Sequence, residues 1–166
     1  MKTALDEKGF TLREATEHDI PKLSSHHRKM FEEIWGKKGQ FIDDSTGSEI
    51  EQEYSRKLRA ELPEGSCRSW LIEKDGQVAA SGAITIVSFV PTPTDFSSRV
   101  AYLHSVYTEP GMRGKRFAGV IVKAALAYCR TNGIKRVILN ASEAGRPVYE
   151  RIGFCSYPEM MRFFVE

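Results

Sequence analysis

Residues 105–119 have the sequence SVYTEPGMRGKRFAG. The β-branched and aromatic residues at its start are typical of a strand, which breaks at Pro110-Gly111. A short basic turn containing Gly114 follows, and a helical pattern begins at Phe117. Unpaired N–H groups at a helix start and the helix dipole favour an anion, and a glycine permits close approach of a ligand to the backbone. The stretch therefore predicts a strand, a phosphate-binding turn and a helix.

Three cations, Arg113, Lys115 and Arg116, lie in this turn and supply charge suited to a diphosphate. The turn is not a nucleotide P-loop, because no Gly-Lys-Ser/Thr sequence closes it, and it lacks the three-glycine dinucleotide pattern. From these residues alone, an ordinary strand-to-helix turn with a solvated basic face is the alternative.

The turn resembles the acyl-CoA pyrophosphate loop of the GNAT (Gcn5-related N-acetyltransferase) family, which has the pattern Gln/Arg-x-x-Gly-x-Gly/Ala. Residues 113–118 occupy its six places, with Arg116 where the family has its central glycine. A side chain at that place is unstrained if its φ is negative and strained if its φ is positive. The resemblance implies that backbone N–H groups bind the pyrophosphate at Arg113, Gly114, Lys115, Arg116, Phe117, Ala118 and Gly119.

A second stretch, residues 140–154 (NASEAGRPVYERIGF), also resembles the family, whose short helix here carries Leu-Tyr-Glu-x-Leu-Gly-Phe. By that resemblance Tyr149 protonates the departing CoA thiolate, since a phenol with a pKa near 10 is protonated at neutral pH. The resemblance also implies that Asn140 and Ser142 contact the cofactor, Ser142 with a shorter reach than the asparagine common in the family. Without the resemblance, a core tyrosine with its hydroxyl at the surface is the simpler reading of Tyr149.

The reaction implied is direct transfer of an acetyl group from the cosubstrate acetyl-CoA to an amine. In the family a strand N–H polarises the thioester carbonyl, and the matching backbone here is that of Val106, Tyr107 and Thr108. The base is chosen among His104, Glu109 and Glu143, and we favour His104, because its ordinary pKa is near 6.5 and Glu109 is expected to be a solvated turn residue. Strand alternation places His104 and Val106 on one face unless a bulge changes the phase.

Composition is that of one globular domain over residues 1–166, with 41% hydrophobic and 28% charged residues. A net charge of +2 gives no support for nucleic-acid binding. The three cysteines are scattered and match no metal spacing, so we expect free thiols, a reducing cytoplasm and no metal. The N-terminus has no apolar signal core, and no apolar run approaches the length of a membrane span.

The order of elements predicts an α/β protein with a mixed sheet, and the family resemblance implies a GNAT-like fold: a single mixed, twisted sheet flanked by helices on both faces. Asp75-Gly76 predicts a tight hairpin turn, and strand, helix, strand in succession predicts a parallel crossover. Strands are expected at 9–16, 69–73, 78–87, 99–108, 136–140 and within 154–165, and helices from Thr16, from Ser48 to 63–65, from Phe117 to Gly133, and over 148–152.

Two further sets of residues could have a functional role: a pair of histidines in the first helix, and the segments expected around the acceptor. His26 and His27 lie on or beside the apolar stripe of the first helix, so we expect packed histidines rather than metal ligands. By the family resemblance, the loop 36–47 and the segment 156–164 bound the acceptor site. There Asp43 and Asp44 either attract a cationic amine or are solvated loop residues.

The hypothesis that follows is an N-acetyltransferase acting on an amine of a small molecule or a protein. A non-catalytic acyl-CoA-binding module is the alternative, based on Arg116 and Ser142, where the chain departs from the family pattern. A basic-loop nucleic-acid binder is disfavoured by the low charge and by the lack of interleaved aromatic residues. The acceptor is left open among polyamines, antibiotics, amino acids and protein N-termini. No membrane partner is expected, and a homodimer is compatible with the sequence.

Overall fold

Six strands form one sheet in the computed structural model, which describes residues 3–5 and 9–165. The strands lie side by side in chain order, and all neighbours are antiparallel except the last two, which are parallel. The mixed sheet expected from the sequence is therefore confirmed. Its strands are β1 Thr3–Ala4, β2 Thr11–Glu14, β3 Cys67–Lys74, β4 Gln77–Ser88, β5 Arg99–Thr108 and β6 Arg136–Leu139.

The four α-helices are α1 Ile20–Gly36, α2 Asp44–Glu64, α3 Phe117–Thr131 and α4 Arg146–Ile152. We predicted that α2 begins at Ser48, but it begins four residues earlier, at Asp44. The Asp43 carboxylate caps it by accepting the Thr46 N–H at 2.7 Å, a signal earlier in the chain than the predicted Ser48 and Glu51 pair. Gly65 ends the helix with a φ of 78°. None of the described helices is long and apolar enough to cross a membrane.

Side-chain alternation along β3 separates two cores on the two faces of the sheet. Trp70 and Ile72 belong to a core with α3, whereas Leu71 between them belongs to a core with α1 and α2. The α3 core includes Phe117 and Ile121, both essentially inaccessible to solvent. Helices thus cover both faces of the sheet, as predicted.

A bulge in β5 decides which side chains face which core. Ser81 pairs with Tyr107 and Ala83 with His104, so Gly82 alone lies opposite Ser105 and Val106. Ser105 has a φ of 55°, a left-handed conformation uncommon for a non-glycine residue. The absent Gly82 side chain makes room for α3, because a Cβ there would lie 2.7 Å from Ile121 Cγ2.

The bulge overturns the expectation that His104 and Val106 share a face. His104 contacts Tyr54 of α2, whereas Val106 packs against the α3 core. Simple alternation fails here because two residues of β5 occupy the place of one.

The predicted last strand is absent from the described part of residues 154–166, which ends at residue 165. The segment turns at Tyr157–Met160, where Pro158 has no N–H to give to a sheet, and it pairs with no described strand. From Tyr157 onwards its apolar side chains, including Met161 and Phe163, are exposed. Near the N-terminus, the strand predicted over 9–16 is present as β2 but is shorter, covering only Thr11–Glu14. Strand β1 was not predicted.

Candidate active site

The C-terminal half of β5 has an unpaired edge. Strand β6 pairs with β5 only through Val100–Leu103, because β6 ends at Leu139. Residues 104–108 continue beyond it, paired on their other side with β4. The backbone of Val106, Tyr107 and Thr108 therefore borders a gap between two parallel strands, open to hydrogen bonding with a ligand.

The predicted phosphate turn follows directly and leads into α3. Gly114 has a φ of 84°, and Arg116, the residue before the helix, has a φ of 62°. The N–H groups of Phe117, Ala118 and Gly119 donate to no described residue, and the first bond into the helix is from Val120 N–H to the Arg116 carbonyl. The turn thus presents free N–H groups at a helix N-terminus.

Arg113 and Arg116, two of the three cations of the turn, differ in their partners. The Arg113 guanidinium donates to both Glu33 carboxylate oxygens, at 2.7 and 2.8 Å, and to the Thr108 carbonyl at 3.1 Å. The Glu33 hydrogen bond raises the pKa of Arg113 further. Arg116 is exposed, and its side chain makes no hydrogen bond or ion pair with the described residues. Arg116 is therefore free to meet a bound anion, whereas Arg113 must first leave Glu33.

Glu109 is not the solvated turn residue that we expected. It accepts hydrogen bonds from Lys22 at 2.9 Å and Lys29 at 3.0 Å, and its carboxylate lies 3.1 Å from His26 Nε2. Burial acts to raise its pKa, but the two lysines outweigh burial and hold the pKa at about 2. Lys22 and Lys29 together donate to both carboxylate oxygens of Glu109, so this group serves as an internal ion-pair partner and not as an acceptor for a substrate proton.

His26 is completely buried, and its Nδ1 lies 2.8 Å from Ser81 Oγ. Burial is the main cause that lowers its pKa to about 4, so the ring is neutral at neutral pH. Together with Glu109 it joins α1 to the end of β5. This agrees with the expected packing role, and no group of residues able to hold a metal exists in the described ranges.

His104 lies within a network on the α1 and α2 face. Its Nε2 is 2.9 Å from Thr85 Oγ1, and its Nδ1 is 3.0 Å from Ser105 Oγ and 3.3 Å from the Tyr54 hydroxyl. Burial lowers the pKa of His104 to about 3. Ser105 Oγ in turn lies 2.7 Å from His27 Nδ1, so the bulge residue links two histidines.

A cavity of about 410 Å³ opens between α1 and α2 beside this network. His27 and Tyr54 lie at its boundary with their rings stacked 3.9 Å apart, and Phe31 meets the His27 ring edge-on. His104 does not line the cavity; it lies behind Ser105 and Tyr54. Of these two histidines, His27 is therefore the one that a ligand in the cavity can contact. We had expected His27 to be a packing residue.

Tyr149 lies in α4 and packs against the α3 core, with its ring 5.9 Å from that of Phe154. Burial raises the pKa of its hydroxyl, which bonds to no described residue. A Cβ on Gly145 would come within 3.1 Å of the Tyr149 ring, so this glycine leaves the tyrosine its space.

The other predicted cofactor contacts have partners within the chain. Ser142 Oγ accepts the Gly145 N–H at 3.1 Å and so supports the start of α4. Asn140 donates to the Tyr102 hydroxyl at 3.0 Å.

The two aspartates considered for attracting a cationic amine also have partners within the chain. Asp43 caps α2, and Asp44 pairs with Arg28 at 2.7 Å, so both have structural roles.

Sequence reasoning missed Glu33, Tyr54 and Ser105. Glu33 and Tyr54 lie on helices far along the chain from the residues they contact, and no local pattern marks such contacts. Ser105 acts only because of the bulge. The run of small residues 79–83 opposite it in β4, which contains Gly82, is a local signal of a bulge.

The sequence matches the family described as Acetyltransferase (GNAT) family over residues 22–154. An uncharacterized N-acetyltransferase, YjgM of Escherichia coli, is 26% identical over 86% of this chain and 80% of its own length. A glucosamine 6-phosphate N-acetyltransferase of Trypanosoma brucei is 28% identical over 52% of this chain and 57% of its own.

Solved structures agree on the fold. A predicted acetyltransferase from Clostridium acetobutylicum, solved with acetyl-CoA, superposes with a TM-score of 0.83 at 27% identity, over 93% of this chain and 96% of its own. A GCN5-related N-acetyltransferase from Ralstonia eutropha gives the same TM-score at 24% identity, over 94% and 99% of the two chains. The matched span of the family contains β5, the basic turn, α3 and Tyr149. The chain belongs to the GNAT family of acetyltransferases.

Proposed function

We propose that this protein transfers an acetyl group from acetyl-CoA to the amine of a small molecule. The observation that carries the proposal is the unpaired edge of β5, which runs directly into a turn with free N–H groups at the start of α3. An extended thioester arm fits an unpaired strand edge, and a diphosphate fits a helix N-terminus. One continuous surface thus suits both parts of the cosubstrate.

In this proposal the backbone of residues 106–108 holds the arm and polarises the thioester carbonyl. The turn residues hold the pyrophosphate, with Arg116 free to add its charge at once. The acceptor occupies the cavity between α1 and α2, next to Ser105 of the bulge. The two substrates then meet at the bulge, where β5 exposes its edge.

The chemistry needs one proton acceptor and one proton donor. The amine nitrogen attacks the carbonyl carbon, the C–N bond forms, and the C–S bond breaks with its electron pair leaving on sulfur. Tyr149 donates its phenolic proton to that thiolate. Burial raises the pKa of this phenol and so keeps it protonated at neutral pH, and its hydroxyl bonds to no described residue.

The amine nitrogen loses its proton after it has attacked, when it is far more acidic than a free ammonium ion. The proton passes to His27, the imidazole that lines the cavity and is neutral at neutral pH. We assign His104 a supporting position behind it, because Ser105 Oγ lies between the two rings, 2.7 Å from His27 and 3.0 Å from His104. His104, favoured as the base from the sequence, thus orients Ser105 and His27 in this proposal.

The proposal is tested by thermal unfolding with acetyl-CoA, with desulfo-CoA and AMP as controls, followed by thiol release in the presence of an amine panel. Ligand at a hundred times its dissociation constant adds about 2.7 kcal/mol of stability. A shift with both CoA compounds and none with AMP, together with amine-dependent thiol release, is expected. Binding without turnover would instead identify an acyl-CoA-binding module, and no binding would refute both functions.

A further inference from the structure

The cavity between α1 and α2 has mostly apolar and aromatic walls. Phe31 and Trp35 of α1 form one side, and Ile50 of α2 forms part of the other, with Ile42 at the connection. Its volume of about 410 Å³ falls in the range of small-molecule sites. Stacked rings of His27 and Tyr54 bound it next to the bulge. Such walls stabilise an apolar ligand group by about 25 cal/mol for each Å² removed from water.

Two charged residues line the cavity, and each has a partner on the same helix. Glu53 pairs with Arg56, and Lys57 pairs with Glu61. Neither leaves an unpaired charge for a ligand. A phosphate placed here would lose its hydration without gaining a free cation, which is costly in an apolar site.

The aromatic boundary carries no charge at neutral pH. Burial lowers the pKa of His27 to about 4, and the Tyr54 hydroxyl is protonated. An ammonium ion entering such a site is disfavoured against its neutral amine, because desolvation penalises the charged form. Since only the neutral amine is a nucleophile, the apolar cavity favours the reactive form of its own substrate.

We propose that the acceptor is a primary amine carrying an aromatic or branched aliphatic group and no phosphate. The inference rests on the proposed function, because it assigns the acceptor of that same reaction. It separates this chain from the relatives whose names specify glucosamine 6-phosphate. The apolar group lies between Phe31, Trp35 and Ile50, and the amine points towards His27.

The test compares kcat/KM for 2-phenylethylamine, putrescine and glucosamine 6-phosphate, with binding of each amine measured by calorimetry in the presence of desulfo-CoA. We expect 2-phenylethylamine to be preferred by about tenfold or more, the size of effect that an apolar pocket gives to a matching group. Ile50→Trp, which fills the cavity, should raise KM for 2-phenylethylamine and leave CoA binding unchanged. Glu49→Trp, on the exposed side of α2, is the matched control and should change neither.

The outcomes separate this inference from the proposed function. Preference for putrescine or glucosamine 6-phosphate would overturn the inference while amine acetylation itself stood. Equal loss of activity in the two tryptophan variants, or none in either, would place the acceptor outside the cavity. If no amine were bound or acetylated, the inference would fail, and acetyl-CoA binding would then decide whether an acyl-CoA module remains.

Discussion

Arg116 holds a left-handed backbone conformation, with a φ of 62°, at the place where the GNAT pattern has glycine. Such a conformation costs a non-glycine residue about 1–2 kcal/mol, whereas a glycine there loses about 0.5–1 kcal/mol in chain entropy. Arg116→Gly should therefore leave the free energy of unfolding unchanged or raise it by up to about 1.5 kcal/mol. The β-branched Arg116→Val should lower it. Chemical denaturation of the two variants measures both effects.

Arg116→Gly also shows whether CoA is bound by the backbone of the turn or by the Arg116 side chain. If the N–H groups of the turn supply most of the affinity, Arg116→Gly keeps or improves the dissociation constant for CoA. A clear loss of affinity in Arg116→Gly would show instead that the guanidinium is itself a phosphate ligand. Either result is read by calorimetry with CoA.

Tyr149 is the residue to which we assign protonation of the CoA thiolate. Removing a positioned acid typically costs about a hundredfold or more in rate, so Tyr149→Phe should lower kcat by that factor with little change in CoA affinity. Tyr128 provides the control, because Tyr128→Phe removes a hydroxyl near the C-terminus of α3, whereas the phosphate turn lies at its N-terminus. Full activity in Tyr149→Phe would remove this tyrosine from the mechanism.

At the scale of elements, one ion pair joins α1 to the phosphate turn. Arg113 and Glu33 are 46% and 35% exposed, and such pairs contribute about 0–1 kcal/mol. A charge-assisted hydrogen bond to phosphate is worth about 1.5–3 kcal/mol, so a bound pyrophosphate should draw Arg113 away from Glu33. Arg113→Ala should then raise the dissociation constant for CoA by roughly tenfold, measured by calorimetry.

Glu33→Gln tests the same competition from the other side. It releases Arg113 and removes a negative charge near the turn, so CoA should bind a few-fold more tightly. Glu32→Gln, on the same helix but paired with Arg28, is the matched control. Weaker CoA binding in Glu33→Gln would mean that the ion pair holds the turn in its binding shape.

The sequence predicted those elements whose formation depends on residues close together in the chain. The Asp75-Gly76 hairpin, the turn before Phe117 and the hydrophobic β6 each carry their signal within a few residues, and each lies where expected. A strand in the C-terminal segment was wrongly predicted, because β-type residues form a strand only where their backbone pairs, and this segment pairs with no described strand. The bulge at Ser105 depends on its pairing with Gly82 and could not be derived from β5 alone.

The candidate site divides in the same way. The basic turn and Tyr149 could be proposed from the sequence because each lies in a short pattern of consecutive residues. Their partners in the fold could not be proposed, because Glu33 and Arg113 are far apart in the chain and His27 meets Ser105 only through the bulge. His104 was proposed as the base from its residue type, and its position behind Ser105 is visible only in the folded structure.

At the scale of the whole molecule, three packed histidines couple folding to pH. Burial is the main cause that lowers the pKa values of His26 and His27 to about 4 and that of His104 to about 3. In the unfolded chain each has a pKa near 6.5. Their contribution is therefore fully present above about pH 6.5 and is lost as the pH falls towards 4, because the unfolded chain then binds more protons.

Near pH 5 the unfolded chain binds almost three more protons at these sites, so stability should fall by about 4 kcal/mol per pH unit. Urea denaturation between pH 7.5 and 5 measures that slope. His104→Gln, whose amide can still bond to Thr85 and Ser105, should reduce the slope by about 1.4 kcal/mol per pH unit. His18→Gln removes an exposed histidine outside the packed group and serves as the control. If both variants kept the slope of the original chain, His104 would be protonated alike in the folded and unfolded states, and its supporting position as a neutral ring behind His27 would be wrong.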